Sequence, residues 1–416
     1  MEHDSEERYA TAMPSYCAFL GHQPHISIAE LSAAIPDFRM KKVLGSSVLL
    51  FESKSDIKTA ELNTLGGTVA IARKIEPDVT TLDDVPDTLW KEVKGVTGKI
   101  TFGLRAYNVP PARVHDLYRR CKGALKDHGR ASRYVGTERT PAASVLLQDT
   151  GLLDGSHGCE IVLLRDDDTL WIGRTVAAQD VNAYAKRDMG KPVRDTRIGL
   201  LPPKLAQILL NFGHWLARGT VGNAASLTVF DPFCGTGVIP MECLLRRWNV
   251  LACDLSLKAA NGCEKNLDWI RKEHDILKKD VWSEVWKQDA RKPFELKKKP
   301  DVIVTESTLG PTLEKPAALR LAQTLKAEGE ELQEEFLRNV AATLPGVPVA
   351  AMWPVWFTSK GTVRLEKVWD RLHTLGFRVA IPAAVDLEIT GRPTLLYRRP
   401  GQYVGREIIL LQQSKK

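Results

Sequence analysis

Ser226-Leu227-Thr228-Val229-Phe230 is an apolar, strand-like run. Asp231-Pro232-Phe233-Cys234-Gly235-Thr236-Gly237 turns sharply after it, and Val238-Ile239-Pro240-Met241-Glu242-Cys243-Leu244-Leu245 reads as the opening of a helix. Strand, glycine-rich turn and helix together make a nucleotide cradle at the carboxyl end of a first strand. The glycines let the backbone approach a ligand closely. The helix N-terminus adds unpaired N–H groups and the positive end of a dipole.

The ligand follows from what is missing. A dinucleotide fingerprint needs a third glycine where Pro240 stands, and a phosphate-binding loop needs Gly-Lys-Ser/Thr, which does not occur here. S-adenosylmethionine has no pyrophosphate, and its ammonium and sulfonium are positive. An acid at the strand end, Asp231, suits it. Asp254 closes the next strand, Val250-Leu251-Ala252-Cys253, 23 positions after Asp231; an acid at about that interval accepts the ribose hydroxyls. Asp289, in Lys287-Gln288-Asp289-Ala290-Arg291, stands where a third strand ends beside the adenine. A lone Asp after a strand is usually a helix cap; three in register point to a cofactor.

Outward from this core, Pro202-Pro203 opens an amphipathic helix through Leu216, with proline where a first turn tolerates it. Strands and helices then alternate to about residue 412, the pattern of a doubly wound α/β sheet. The charged stretch 186–195 reads as a linker or surface loop. Upstream, strands are expected at 16–20, 47–51, 99–107, 144–147, 160–164 and 170–176, with Asp166-Asp167-Asp168 as a turn. Helices are expected at 27–33 (capped by Ser27), 56–74 and 112–128. This mixture has no regular βαβ beat and reads as α+β.

The 416 residues suggest two or three domains. With 44% hydrophobic and 26% charged residues the composition is that of a soluble globular protein. No apolar run approaches the roughly 18 residues that span a bilayer, so no membrane partner is expected. Met1–Arg8 is polar and acidic and lacks the order of a signal peptide, so a cytoplasmic location is expected. Seven cysteines without a C-x-x-C pair indicate reduced, buried thiols rather than disulfides or zinc. The histidines form no ligand spacing, and no metal is expected. The net charge is +7. From Lys99 to Arg139 ten Lys or Arg face only Asp116, Asp127 and Glu138, with Tyr107, Tyr118 and Tyr134 interleaved. Such an excess can be a phosphate-binding face; a solvated helix face is the plainer reading.

Asp231–Gly237, then Cys253-Asp254-Leu255-Ser256, then Gly262-Cys263-Glu264-Lys265-Asn266-Leu267, resembles the THUMP-containing tRNA guanosine-N2 methyltransferases. Upstream, Gln179-Asp180, Tyr184, Arg187-Asp188, Lys191-Pro192 and Gly199 through Gln207 look like the segment joining THUMP to catalytic domain in that family. The resemblance implies a ferredoxin-like unit at 1–95, a THUMP-like RNA-binding domain at 96–178, a linker at 179–198 and a Rossmann-like class I methyltransferase domain at 199–416. It implies S-adenosylmethionine as cofactor, tRNA or another structured RNA as substrate, a guanine amine as methyl acceptor and, as in some relatives, a small activator subunit. Cofactor contacts are expected from Pro202, Lys204, Asp231, Pro232, Phe233, Cys234, Gly235, Thr236, Gly237, Asp254, Leu255, Asp289, Ala290 and Thr305. Arg133, Arg187 and Arg194, with Arg197, are expected at substrate phosphates.

The fourth motif departs from the pattern. Amino-methylating enzymes of this class end the fourth strand in Asp- or Asn-Pro-Pro and an aromatic. The acid or amide and a proline carbonyl hold the target amine, and the aromatic stacks on the extruded base. Here Pro300-Asp301-Val302-Ile303-Val304 leads into Thr305-Glu306-Ser307-Thr308-Leu309-Gly310-Pro311. Glu306 can accept from an amine, while Ser307 and Thr308 replace proline and aromatic; the three are taken as the catalytic set. Trp353 or Trp356 is a candidate substitute stacking surface, with core packing the other reading. Three classes stay open beside RNA methylation: a DNA amino-methyltransferase, an RNA-binding relative with little catalysis, and an oxidoreductase, against which Pro240 speaks.

Overall fold

The computed structural model describes residues 13–75, 81–137, 139–167, 169–195, 200–222, 226–382 and 392–414; Glu138, Asp168, Arg197 and Gly199 lie outside the described residues. Two units make up the chain. The first takes its described residues from Met1–Phe19, Ile35–Leu62 and Val69–Gln179, the second from Leu20–Ala34, Asn63–Thr68 and Asp180–Lys416.

From the N-terminus, β1 (Ser15–Leu20) leads to α1 (Pro24–Ala34), which belongs to the second unit. The first unit continues with β2 (Arg39–Leu44), β3 (Val48–Glu52), α2 (Thr59–Leu62), β4 (Thr68–Lys74), α3 (Val85–Val93), β5 (Ile100–Tyr107), α4 (Pro111–Asp127), β6 (Ser132–Val135), α5 (Ser144–Asp149), β7 (Gly158–Asp166) and β8 (Thr169–Ala178). Its eight strands form one sheet, ordered β2-β3-β1-β4-β8-β7-β5-β6, carrying strands from both the 1–95 and the 96–178 stretch. α3 and α4 pack Val85, Leu89, Val114, Leu117 and Cys121 onto Phe102, Leu104 and Ile161.

Three local expectations fail. The stretch 56–74 is not one helix: α2 is a single turn, and Val69-Ala70-Ile71-Ala72 pairs with β8 as β4, since the β-branched Val69 and Ile71 suit a half-buried strand once Gly66-Gly67 has broken the helix. Ser144–Leu147 is helical rather than a strand: α5 buries Ser144 and Leu147, three residues apart on one helix face, and is entered through Ala143 as its N-cap. Ser27 is no cap: α1 starts at Pro24, and the Ser27 hydroxyl donates to the Gly67 carbonyl at 2.6 Å.

The second unit contains α6 (Val181–Met189), α7 (Pro203–Val221), β9 (Thr228–Asp231), α8 (Val238–Leu245), β10 (Asn249–Asp254), α9 (Leu257–Glu273), β11 (Ser283–Lys287), β12 (Val302–Glu306), α10 (Leu319–Thr343), β13 (Val349–Thr358), β14 (Gly361–Val363), α11 (Glu366–Asp370), β15 (Phe377–Val379), β16 (Leu395–Tyr397) and β17 (Val404–Gln413). The stretch 186–195 therefore begins inside α6. The main sheet runs β11-β10-β9-β12-β13-β17-β15. β9 to β13 are parallel, while β17 is antiparallel to both its neighbours on this path. This is the doubly wound, Rossmann-like sheet of the class I methyltransferase fold.

Helices cover both faces, so successive strand residues go to different cores. Val229, Val302, Val304, Ala350 and Met352 pack toward α7 and α8, while Phe230, Ile303, Val349, Ala351 and Trp353 pack with Phe336, Leu337 and Val340 of α10. α7 is also held by a buried carboxylate. Glu30 on α1 accepts from the Gly66 and Gly67 amides, each at 2.8 Å, and from Asn211 of α7 at 2.7 Å.

Candidate active site

β9 lies between β10 and β12, so the chain leaves its neighbours in opposite directions and opens a crevice at the carboxyl end of β9. The turn after Asp231 closes on itself. Cys234 N donates to the Cys253 carbonyl at 3.0 Å, and Gly237 N to the Cys234 carbonyl at 2.8 Å. Gly235 (φ +51°) and Gly237 (φ +89°) take left-handed backbone, which glycine adopts without steric cost. The Gly235 amide donates to Asp254 Oδ2 at 2.9 Å, tying the first two strand ends together.

A cavity of about 520 Å³ occupies this crevice, within the size range of small-molecule sites. Asp231, Pro232, Phe233, Cys234, Gly235, Thr236, Asp254, Leu255, Asp289, Ala290, Glu306, Ser307 and Thr308 line it. Of the expected cofactor contacts, Pro202, Lys204, Gly237 and Thr305 are not part of this lining. Pro202 is the N-cap of α7 and Lys204 lies over the Tyr184 ring. Gly237 is the N-cap of α8, and Thr305 stands behind Asp231, donating its hydroxyl to Oδ1 at 2.6 Å.

The lining is acidic. Asp231 is buried, and burial raises its pKa to about 7; the Thr305 hydroxyl and the Phe233 amide oppose the rise, while the neighbouring charges of Asp254 and Glu306 add to it. The third expected acid differs. Asp289 is engaged by its own loop, with Arg291 Nε at 2.9 Å and Nη2 at 2.8 Å, and this guanidinium holds its carboxyl below the ordinary range. Arg291 is the sole base of the lining among the described residues, and it is spent on Asp289.

At the fourth motif, Glu306 ends β12 and faces the cavity. Ser307 is buried and turned away: its hydroxyl donates to the Met352 carbonyl at 3.0 Å and its amide to the same oxygen at 3.2 Å. Thr308 is exposed at the rim. Trp353 and Trp356, weighed as stacking surfaces, sit in the core between sheet and α10 and are 0% and 1% exposed, so core packing is their role. Phe233 is the aromatic of the lining, braced edge-on against Phe336 at 5.2 Å.

Of the four arginines expected at phosphates, Arg197 lies outside the described residues and the other three divide. Arg187 is buried on the inner face of α6, bound to Glu242 at 2.7 Å and stacked over Tyr184, which turns its charge inward. Arg194 is exposed. Arg133, on β6 in the first unit, is exposed in an open depression of about 460 Å³ lined by Lys99, Tyr118, Lys122, Ser132, Arg133, Tyr134, Gly136 and Thr137. Tyr118 and Tyr134 stack there, centroids 4.7 Å apart. Sequence reading missed Asp195, Leu200, Leu201 and Leu332 in the cavity lining and Arg406, which donates from Nε to Glu306 Oε1 at 2.5 Å. Leu200 and Leu201 lie in the stretch 199–207 that carries the resemblance, while no local motif marks Asp195, Leu332 and Arg406, which arrive from a linker, a helix and the last strand.

Among the described residues no helix is long and apolar enough to cross a membrane. No family model matches the chain. Among solved structures, TrmN from Thermus thermophilus covers 96% of this chain and 99% of its own at 16% identity, with a TM-score of 0.48. The magnesium protoporphyrin IX methyltransferase of Synechocystis with bound SAH aligns with 56% of this chain and 94% of its own at 13% identity, with a TM-score of 0.33. In sequence, the chain is similar to the tRNA (guanine(10)-N2)-dimethyltransferase of Methanothermobacter thermautotrophicus, 30% identical over 146 residues, 35% of this chain. The match spans 36% of that curated relative, about a third of its length.

Proposed function

We propose that this chain is an S-adenosylmethionine-dependent methyltransferase of the cytoplasm that acts on RNA, with N2 of a guanosine in tRNA as the methyl acceptor. The carrying observation is the charge of the cavity: Asp231, Asp254 and Glu306 line it, and its one base among the described residues is neutralised by Asp289. A pyrophosphate would meet acids there, whereas a cationic nucleoside is matched. Asp231 suits the ammonium, Asp254 the ribose hydroxyls, and Leu255 and Ala290 the adenine. Bound there, the cofactor supplies an electrophilic methyl group on a sulfonium.

The chain's own contribution is positioning, which can supply much of the barrier reduction in a two-reactant step. Glu306 accepts a hydrogen bond from the target amine and aims its lone pair. Ser307 seats the turn on β13 through Met352. With threonine at 308, the flat surface left for an extruded base is Phe233 in the lining. The Lys99, Lys122 and Arg133 depression, with its stacked tyrosines, suits phosphates and unstacked bases and favours RNA. It lies within the 96–178 stretch read as THUMP-like. The sequence likeness to a tRNA guanine-N2 dimethyltransferase points to the same acceptor.

Incubation with labelled S-adenosylmethionine and unmodified tRNA transcript, followed by nucleoside analysis, is expected to place label in N2-methylguanosine. Label in DNA alone would favour the amino-methyltransferase reading. Cofactor binding without any transfer, even after addition of a cell extract that supplies an activator subunit, would favour an RNA-binding relative.

Two further results are expected. Because Asp231 holds its proton up to about pH 7 in the free protein, a cation must displace that proton to bind. Affinity is therefore complete above pH 7 and falls about tenfold for each unit below it. The α-ammonium of the cofactor stays charged over this range. Calorimetric titration from pH 7.5 to 5.5 measures the trend, and a flat profile removes Asp231 as the cation's partner. Separately, Lys122→Ala and Arg133→Ala each weaken RNA binding across sequences and lower the slope of log affinity against log salt by about one. Cofactor affinity serves as the unchanged control, and unaltered salt slopes would take the depression out of the RNA interface.

A further inference from the structure

Glu306 stands without the proline that would stiffen the backbone after it, and it is a methylene longer than the expected Asp. A free glutamate spreads over several rotamers, so something else has to aim it. The topology brings that group in. β17 runs antiparallel to β13, so its first residues lie at the edge where the parallel strands end. Glu306 is in register with Met352 on β13, Met352 with Ile408 on β17, and Arg406 two positions earlier faces Pro354. On its other side Arg406 pairs with Tyr397 of β16, so its backbone is held from both flanks.

The side chains follow the strand's alternation. Glu407 points the other way, fully buried among Arg364, Arg392 and Thr394. Arg406 is 4% exposed and points to the site. Its Nε donates to Glu306 Oε1 at 2.5 Å, and its Nη2 lies 3.5 Å from the carbonyl of Leu200, a residue of the cavity lining. No other described residue donates to Glu306. An ionised carboxylate has about four acceptor sites, so this contact leaves Oε2 for a donor in the cavity. The guanidinium also offsets the negative charge of one of the carboxylates gathered there.

We propose that Arg406 is a positioning residue for the methyl acceptor: it clamps Glu306 by one oxygen and presents the other to the target amine, replacing the rigidity that proline gives elsewhere. The inference rests on the methyltransferase reading of the cavity. Arg406 acts through Glu306 and touches neither cofactor nor base.

The test compares wild type, Arg406→Gln, Arg406→Lys, Glu306→Gln and the double variant Glu306→Gln/Arg406→Gln. Methyl transfer to tRNA transcript is measured with cofactor affinity, tRNA affinity and melting temperature. R406Q is expected to lower kcat about a hundredfold, the scale of a misplacement near 1 Å, with cofactor and tRNA affinities unchanged. R406K, which keeps the charge but not the planar fork, recovers part of the rate. The double variant is no slower than E306Q alone, because the arginine has nothing left to aim. Should R406Q fail to fold, R406K and the double variant, in which two amides replace the ion pair, still decide the matter. Wild-type rates in R406Q, or rate losses that add in the double variant, overturn the inference. So does a rate loss matched by equal losses of cofactor affinity and melting temperature, since that is the mark of a merely structural role. An active wild type separates these outcomes from failure of the underlying reading, which an inactive wild type would signal and which would take the inference with it.

Discussion

Asp231→Ala and Asp231→Asn are both expected to abolish useful cofactor binding, and with it methyl transfer. Asp231 is 2% exposed, so a cation that meets it is desolvated on the same side. Removing one partner of a buried, charge-paired contact costs about 2–5 kcal/mol, roughly thirtyfold to several thousandfold in affinity. The two variants separate charge from shape. Alanine also strips the acceptor from the Thr305 hydroxyl, which sits 2.6 Å away, and a buried hydroxyl left unsatisfied costs about 1–3 kcal/mol of stability. Asparagine keeps that acceptor and the side-chain outline while deleting the charge. D231N should therefore melt close to wild type, bind weakly, and show no pH dependence between 5.5 and 7.5. Wild type converges on it at the acid end, where Asp231 is itself protonated. Calorimetric titration with parallel thermal melts decides. If D231N binds the cofactor as tightly as wild type at pH 7.5, the acidic end of β9 is not where the cation sits.

What the sequence disclosed about this site was local. Asp231, the glycine turn and Asp254 could be read because strand ends, turn chemistry and a spacing of 23 residues are properties of one continuous stretch. The alternation of strand and helix after Pro202 likewise foretold the sheet. What the sequence left open turned on tertiary context. Arg187 looks like a solvated linker charge until α6 turns it toward Glu242, 55 positions away. Trp353 and Trp356 lie next to the motif-bearing strand in the sheet order, but β13 runs on through both of them, and the core claims them. Asp289 stands at the right place in the order of strands, but an arginine two residues later occupies its carboxylate. Arg406 belongs to the closing strand, β17. Its role depends on that strand returning antiparallel, 100 residues after Glu306, and no periodicity announces such a meeting.

Within the loop itself the two glycines fail differently, and this gives the second large effect. Gly237→Ala is expected to destabilise the second unit by about 2–5 kcal/mol, combining about 1–2 kcal/mol for an L-residue in left-handed backbone with about 1–3 kcal/mol for overpacking. Its φ is +89°, and a Cβ there would lie 2.6 Å from Cys263 Sγ and 3.2 Å from Cys263 Cα. The sulfur belongs to α9, which packs against α8, so the clash has little room to relax. Gly235→Ala meets no atom within 4 Å, and at φ +51° it carries the backbone strain alone. Its methyl enters the open space of the cavity lining, where the backbone has to approach the ligand, so a modest stability loss accompanies a large loss of cofactor affinity. G237A should show the reverse: a melting transition lowered by several degrees, with affinity retained in whatever fraction stays folded. Adding Cys263→Ala to G237A removes the sulfur but leaves Cα and Cβ in place, and should restore part of the stability. Calorimetric melts of the three variants with cofactor titrations separate packing from strain. If C263A returns nothing, the sulfur contact is not the source of the penalty, which then lies in the left-handed backbone and in the Cys263 Cα and Cβ contacts.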